Sequence, residues 1–181
     1  MAKRAKRTPK TLVIDASIAK RAGSENAVFP GSILCHHFLV SVRELTFQVA
    51  MSPDIYMEWK NHASRFSFKW LTEMYGRKRV ASIGDVEKKI LRNSIVHTSS
   101  HENHQKAMAK DCLLLEAALV TDNIVFSLDE KVRRLFRHAA VTIDEIKPIH
   151  WANPELSEDK VMAWLQAGAP ADKKLQLGKQ A

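Results

Sequence analysis

Long apolar runs are absent from this sequence, and their absence limits what the protein can be. No stretch approaches the roughly 18 consecutive apolar residues that a membrane-spanning helix needs. The basic opening residues, MAKRAKR, lead into a strand-like run without the apolar core or the cleavage site of a signal peptide. We therefore expect a cytoplasmic protein that has no membrane partner.

Cysteine is scarce, and two common catalytic signatures are missing. The two cysteines, Cys35 and Cys112, lie in apolar contexts and have no CxxC spacing. Buried, reduced thiols are therefore the favoured interpretation, and a disulfide framework is not expected. The sequence also has no glycine-rich phosphate loop and no GxSxG nucleophile motif. Nucleoside-triphosphatase and serine-hydrolase functions are thus without support.

Positive charge is in excess: 28 lysines and arginines face 20 acidic residues, for a formal net charge of +8. Residues 1–10 form a basic N-terminal arm, and two internal clusters lie at 77–79 and 133–134. Basic surfaces attract phosphate backbones and release counterions on binding. Basic tails also serve simply to keep proteins soluble. The charge favours a nucleic-acid partner and leaves this simpler alternative open.

Strand-like and helix-like segments alternate along the chain. Short apolar runs rich in β-branched residues predict strands, and apolar residues at helical spacing after capping residues such as Ser32 and Ser52 predict helices. The strands are expected at 11–14, 47–51, 124–126 and 140–143, and the clearest helices at 33–45, 84–96, 107–119 and 130–138. This order predicts an α/β fold in which a mainly parallel sheet carries helices on both faces.

The length of the chain predicts one domain over residues 11–154, followed by a C-terminal extension over 155–181. A small helix is expected near 159–166. The residues from Gly168 onward are small and polar, and they are expected to be loose. The extension is therefore predicted to be partly flexible.

Two aspartates follow predicted strands. Asp15 comes directly after the run TLVI, and Asp129 follows IVFSL. In open parallel sheets, ligands bind beyond the carboxyl ends of the strands, so both acids are candidates for a site at that edge. Each acid also has a structural explanation, since Asp15 can cap a tight turn and Asp129 can cap the helix that follows it.

Two further acids lie on predicted helices. Asp111 shares a helix face with Met108 and Leu115, and a carboxylate on a core-facing stripe is costly unless it is paired or bound to a metal. The alternative is an acid near the start of the helix or at the edge of the stripe. Glu58 lies on the expected inner side of its helix, although glutamates on helices are usually solvated. Glu116 turns well away from Asp111 and is only a secondary candidate.

Four carboxylates gathered at one edge of a sheet would repel one another and raise their own pKa values. A divalent cation relieves this repulsion, and ligands that are all oxygen atoms suit magnesium or manganese. Such a centre near basic surface indicates phosphodiester hydrolysis. A bound divalent ion lowers the pKa of a coordinated water and stabilises charge on the phosphate oxygens.

Four segments resemble, in the same order, the acidic motifs of the PIN domain family. They are TLVIDAS at 11–17, VAMSPDIYMEW at 49–59, KDCLLLEAAL at 110–119 and IVFSLDEKV at 124–132. The closing IKPIHWANP at 146–154 also resembles the end of a PIN domain. The resemblance covers residues 11–154 and implies a three-layer PIN-like fold with a twisted parallel sheet of about five strands. It further implies an endoribonuclease that depends on magnesium or manganese.

The positions that match the acids of the family are Asp15, Glu58, Asp111 and Asp129. Ser17 and Ser127 match the hydroxyl residues that often accompany the first and last acids. Many small bacterial PIN proteins are toxins that dimerise and are neutralised by an antitoxin, so the resemblance implies RNA, a second copy and an inhibitor protein as partners. The basic arm, the C-terminal extension and Val132, where an aromatic residue is common, depart from a minimal toxin.

The stretch 65–79 mixes aromatic and basic residues and is a candidate for stacking and clamping single-stranded RNA. Its basic members include Arg65, Lys69, Arg77, Lys78 and Arg79. Packing of the same aromatic side chains into the core, or a dimer interface, explains the pattern at least as well. His97, His101 and His104 lack a convincing further ligand. Solvated or phosphate-contacting histidines are therefore favoured over a transition-metal site.

The leading hypothesis is a PIN-like, metal-dependent endoribonuclease. Asp15, Asp111 and Asp129 hold the metal in this hypothesis, and Glu58 ligates it or orients the attacking water. The main alternative is a catalytically silent RNA-binding or scaffold protein with the same fold, and a nuclease directed at DNA is a third. No residue pattern distinguishes ribose from deoxyribose, so the preference for RNA comes wholly from the resemblance.

Overall fold

In a computed structural model of the protein, which describes residues 9–24 and 26–179, five strands form one sheet. Helices cover both of its faces. The protein therefore has an α/β fold with a parallel sheet, as the alternation of strands and helices predicts. Most of the basic arm lies outside the described residues, as do residues 180 and 181.

The strands, in chain order, are β1 (Thr11–Ile14), β2 (Gln48–Met51), β3 (Val80–Ser82), β4 (Ile124–Phe126) and β5 (His150–Ala152). Across the sheet their order is β3-β2-β1-β4-β5, and every neighbouring pair is parallel. The central strand β1 is buried along its whole length, which explains its continuous apolar sequence. The order switches direction between β1 and β4, and parallel sheets bind ligands at such a switch point.

The helices are α1 (Ala16–Arg21), α2 (Pro30–Glu44), α3 (Pro53–His62), α4 (Arg65–Gly76), α5 (Lys89–Val96), α6 (Glu102–Leu119), α7 (Glu130–Ala139) and α8 (Val161–Gln166). Two 3₁₀ turns span Asp144–Ile146 and Ser157–Asp159. Among the described residues, no helix combines the length and the apolar character needed to cross a membrane.

Aromatic contacts define the layers. Phe38 of α2 and Trp164 of α8 pack against Phe126 of β4, with ring centroids 4.6 and 5.9 Å away. Phe136 of α7 packs against Trp151 of β5 at 5.5 Å. Trp151 pairs with the residue that precedes Phe126, and successive residues of a strand point to opposite faces. Helices α2 and α8 therefore cover one face of the sheet, and α7 covers the other.

The predicted strand at 140–143 is wrong. This segment ends α7 and forms the turn after it, since the amide of Ala140 donates to the carbonyl of Phe136 and that of Val141 to the carbonyl of His138. The β-branched residues favoured a strand, but the hydrogen bonds of a helix end satisfy this part of the backbone. The last strand is β5. Strand β3, which is short and partly exposed, was not predicted.

Three helices begin at residues other than those that the sequence predicts. Helix α2 begins at Pro30 with Phe29 as its N-cap residue, and not after Ser32. Helix α5 begins at Lys89 rather than at Gly84, because residues 83–88 form an irregular connection in which Gly84 has a φ of +66°. Helix α6 begins at Glu102, earlier than the predicted start at 107. Asp111 is therefore in the interior of its helix, and the explanation as an acid near a helix start does not hold.

The residues after Pro154 pack against the domain. The amide of Trp151 donates to the carbonyl of Leu175, and the amide of Leu177 donates to that of Ile149, both at 2.9 Å. Leu175 and Leu177 are buried. The prediction that this part of the chain is loose therefore does not hold for 175–177, which cover the outer edge of β5. The sequence missed this packing because only two isolated leucines of an otherwise polar segment are buried.

Candidate functional site

Asp15 lies at the carboxyl end of β1, where the strand passes into α1. Its Oδ2 accepts hydrogen bonds from the hydroxyls of Ser17 at 2.5 Å and Ser127 at 2.8 Å. Its amide donates to the carbonyl of Phe126 at 2.9 Å, which joins the ends of β1 and β4. Asp15 is the N-cap residue of α1, but its side chain makes no capping hydrogen bond. Its carboxylate is thus held by two hydroxyls and has no capping role.

The same two hydroxyls fix the end of β4. Ser17 Oγ accepts from the amide of Leu128 at 3.2 Å, and Ser127 Oγ accepts from the amide of Asp129 at 3.1 Å. Ser127 is fully buried, so its hydroxyl would destabilise the fold without these partners. The network holds Asp15 and Asp129 at one edge of the sheet.

Asp129 has a structural role as well as a place in the site. Its Oδ1 accepts from the amide of Val132 at 2.8 Å, which is the N-cap hydrogen bond of α7. The sequence predicts that this residue can cap the helix and also bind an ion through its carboxylate. The cap engages one carboxylate oxygen, so both roles are compatible.

Asp111 lies in the middle of α6 and is partly buried. Burial is the largest of the effects that raise the pKa of its carboxyl from 3.8 to about 7, followed by the charges of Asp15 and Asp129. Lys110 opposes the shift, and Glu58 adds to it. The pKa of Asp111 therefore reflects the charges of the other three acids, which share its electrostatic environment.

Glu58 enters the site from α3, whose first turn is capped by the side chain of Ser52. The adjacent Trp59 is fully buried, and its indole Nε1 donates to the carbonyl of Ile14 at 2.9 Å. This bond anchors α3 to the end of β1. The Glu58 carboxylate is partly exposed and lies 3.6 Å from Nε2 of His62, one turn later in the helix.

All four acids line one cleft of about 240 Å³ beyond the carboxyl ends of the strands. Lys20 of α1, His62 of α3 and Lys110 of α6 also line it. Both lysines are exposed. Sequence reasoning did not select them as site residues, because an exposed lysine on a helix fits no distinctive pattern. The cleft combines a carboxylate cluster with positive charge beside it.

The donors in this cleft fit a hard divalent cation. Carboxylates offer only oxygen ligands, which magnesium and manganese prefer. The raised pKa of Asp111 reports a repulsion that a cation would relieve. Within residues 9–24 and 26–179, no three histidine, cysteine or acidic side chains already stand close enough to hold an ion. One or more of the other carboxylates would therefore need to move toward Asp15 on binding, since Asp15 is held by Ser17 and Ser127.

Glu116, the secondary candidate, belongs to the core. It is buried, and its Oε1 accepts from the amide of Lys88 at 2.8 Å and from Nε of Arg92 at 3.0 Å. Its Oε2 accepts from Nη2 of the same arginine at 2.6 Å. These bonds occupy both carboxylate oxygens. Glu116 is therefore a structural residue rather than a ligand.

The two ends of α4 lie at opposite edges of the sheet. The amide of Ser64, just before α4, donates to the carbonyl of Ala19 in α1, on the side of the acids. Arg65 and Lys69 are exposed along the first half of the helix. Residues 77–79 come immediately before β3 and so lie at the amino ends of the strands. The structure does not bring those three basic residues to the acidic cleft.

Two of the four aromatic side chains of α4 pack inside the protein, and two are exposed. Phe66 stacks on His36 of α2, with ring centroids 4.1 Å apart. Trp70 is buried, and its Nε1 donates to a backbone carbonyl of α2 at 2.6 Å. Phe68 and Tyr75 remain exposed, by 41% and 49%. Core packing therefore explains Phe66 and Trp70, and stacking on RNA or a dimer interface stays a prediction for Phe68 and Tyr75.

The internal basic cluster at 133–134 is divided between the core and the surface. Arg133 is buried, and its Nη1 and Nη2 lie 2.7 and 3.2 Å from the two carboxylate oxygens of Asp159. Arg134 is exposed. Only one of these two residues is therefore accessible to a phosphate backbone.

The histidines near the start of α6 do not form a metal site in the described part of the chain. His101 and His104 lie edge to face, with ring centroids 5.1 Å apart. Nδ1 of His97 is 2.8 Å from the carbonyl of Asn93. These contacts are consistent with solvated histidines.

Neither the models of protein families, nor the curated proteins, nor the solved structures contain a match to this chain. The resemblance to PIN domains is carried by the four acidic segments within 11–132 and by the closing segment at 146–154. The function must therefore be argued from the geometry and the charge of the cleft.

Proposed function

We propose that this protein is a PIN-like, metal-dependent endoribonuclease. The observation that carries the proposal is that Asp15, Glu58, Asp111 and Asp129 line one cleft. Burial and the charges of the other acids raise the pKa of Asp111 to about 7. A protein gains no stability from such a group, since an ionised carboxylate near others is repelled by them. Perturbed acids that share a cleft are candidates for function.

The chemistry of the site follows from its ligands. Asp15, Asp111 and Asp129 would hold magnesium or manganese, and Glu58 would complete the set or orient the attacking water. A bound divalent ion supplies a water of lowered pKa and neutralises charge on the phosphate. Hydrolysis then forms a bond between the water oxygen and phosphorus and breaks one phosphodiester P–O bond. The leaving oxygen takes up a proton.

The remaining side chains of the cleft prepare it for a phosphodiester. Ser17 and Ser127 donate to the same oxygen of Asp15, so they fix the orientation of its carboxylate before anything binds. Lys20 and Lys110 line the cleft on different helices. Both ammonium groups can attract the phosphates of an incoming strand. An oriented Asp15 carboxylate with two exposed ammonium groups in the same cleft suits a polyanionic substrate bound through a metal ion.

The choice of RNA over DNA rests on the resemblance to PIN domains, and so do the proposed homodimer and the proposed antitoxin or other inhibitor protein. A cytoplasmic location completes the proposal. Within it, the net charge of +8 favours a nucleic-acid substrate.

The test is cleavage of a labelled single-stranded RNA of mixed sequence by the purified protein. The reaction is run with manganese, with magnesium and with EDTA, alongside Asp15→Asn and Asp111→Asn. Glu102→Gln is a matched control, since Glu102 is an exposed acid on the same helix as Asp111. We expect cleavage that requires metal, persists in the control and falls to background in both aspartate variants. Cleavage that survives Asp15→Asn overturns the proposal.

A second candidate function is an RNA-binding or scaffold protein that lacks catalysis. One observation favours it: no three ligands are preassembled in the described part of the chain. A folded protein that binds RNA equally well in EDTA and in manganese, and never cleaves it, would support this reading. The same assay on single-stranded DNA separates the third possibility, a nuclease directed at DNA.

A further inference from the structure

We propose that a groove beside the acidic cleft holds one base of the substrate strand, stacked on Phe29. This inference rests on the proposed nuclease function, which it deepens by assigning a nucleotide-binding subsite. The groove has a volume of about 600 Å³ and is lined by Ser17, Lys20, Arg21, Phe29, Asp129 and Glu130, among others. Three of these residues, Ser17, Lys20 and Asp129, also line the acidic cleft. The groove and the cleft are therefore continuous.

Phe29 is an unusual residue to find beside such a cleft. It immediately precedes α2 and leaves 56% of its surface exposed. Its neighbour Val28 is 91% exposed. Exposed aromatic side chains are costly to keep in water, and clustered apolar exposure often marks a binding surface. The ring is therefore available to a ligand.

The ring of Phe29 is held in place rather than left to move freely. The guanidinium carbon of Arg21 lies 5.3 Å from its centroid, within the range of a cation–π contact. Nε of Arg21 is in turn 3.4 Å from Glu155 Oε1. A Cβ added at Gly31 would lie 3.1 Å from the ring and 2.4 Å from that carboxylate oxygen. Glycine at 31 thus permits the close packing that orients Phe29.

The chemistry of the groove fits a nucleotide of a single strand. An unstacked base lays its face on an aromatic ring regardless of its identity. Lys20 and Arg21, successive basic residues of α1, both line the groove and can contact the phosphates that flank the base. A base in a duplex remains stacked on its neighbours and cannot reach the ring. The subsite therefore selects single-stranded or locally unpaired RNA.

The test measures binding in the Asp15→Asn background, so that the strand stays intact. Short single-stranded RNAs, each with one abasic position, are titrated by fluorescence anisotropy in manganese. We expect one abasic position to weaken binding about 10-fold. Phe29→Ala should weaken binding of the intact RNA by the same factor and make it insensitive to that abasic position. Phe29→Trp should restore both properties. Tyr56→Ala should change neither, since Tyr56 is an exposed aromatic residue of α3 that lines neither the groove nor the cleft.

Two results would overturn this subsite. One is equal affinity of Phe29→Ala and the parent for intact RNA, and the other is an abasic scan that is unchanged by Phe29→Ala. The latter pattern would point to another occupant for the exposed ring, such as a peptide of an inhibitor protein. The proposed function can fail separately. If the abasic effect depends on Phe29 but the wild-type protein never cleaves RNA, the subsite is supported and the nuclease function is refuted.

Discussion

Replacing Asp111 by asparagine should stabilise the metal-free protein at neutral and alkaline pH. Asparagine keeps the shape of the side chain and removes its charge. In the wild-type protein, burial and the charges of Asp15 and Asp129 raise the pKa of this carboxyl to about 7. Above that pH, the folded protein must hold an ionised carboxylate beside other carboxylates. The unfolded chain has no such repulsion, so the folded state is penalised.

The size of the effect follows from the difference in proton affinity between the two states. The pKa of the carboxyl is about 7 in the folded protein and 3.8 without the perturbation. The folded state binds the proton more tightly, so stability falls as pH rises between these values. At about 1.4 kcal/mol per pKa unit, the upper limit is roughly 4 kcal/mol. Screening in a cleft open to solvent should reduce this to about 2 kcal/mol.

Urea unfolding in EDTA at pH 5 and pH 8 measures this difference. We expect the advantage of Asp111→Asn over the wild type to be larger at pH 8, and the control Glu102→Gln to follow the wild type. Adding manganese at pH 8 should stabilise the wild type by about 3 kcal/mol at 100 times the dissociation constant, and the variant much less. A variant that is less stable than the wild type in EDTA at pH 8 would refute the reasoning.

Three further substitutions test the supports of the site. Glu116→Ala removes the buried acceptor of the Lys88 amide and of the partly exposed Arg92, and it should lower the free energy of unfolding by about 2 kcal/mol, with metal affinity in calorimetry unchanged; a loss of metal affinity would return Glu116 to the site. Ser127→Ala removes a donor to Asp15 and should weaken manganese binding about 10-fold, and unchanged affinity would contradict its orienting role. Trp59→Phe leaves the Ile14 carbonyl unpaired and should cost about 2 kcal/mol in urea unfolding; a cost near zero would mean that the bond does not anchor α3.

The sequence predicts well where its pattern is local. The continuous apolar runs before Asp15 and Asp129 become buried strands, because both faces of a parallel sheet are covered. The helical stripe that contains Asp111 becomes the buried face of α6. By contrast, β5 begins with a polar residue, His150, and is defined by its pairing with β4 rather than by its own composition. Such a strand cannot be recognised without its partner.

The site is less predictable than the fold, because its properties arise between distant segments. The sequence contains the four acids but not the pKa of Asp111, which depends on burial and on charges from other elements. The same holds for Lys20 and Lys110, whose positions in the cleft depend on how α1 and α6 pack. Residues 77–79 lie before β3, at the opposite edge of the sheet from the cleft, so their contact with a nucleic acid stays a prediction that is separate from the acidic site.

The hydroxyl of Ser127 reaches an aspartate that precedes it by 112 residues. The site therefore depends on one of the longest-range contacts in the chain, and contacts of this kind form late because closing a long loop costs entropy. Helices α2, α4 and α6 can gain structure from neighbouring residues alone. Strands β1 and β4 cannot pair until β4 reaches the edge of β1 that lies opposite β2. A partly folded chain rich in helix would therefore carry all four acids and have no cleft in which to use them.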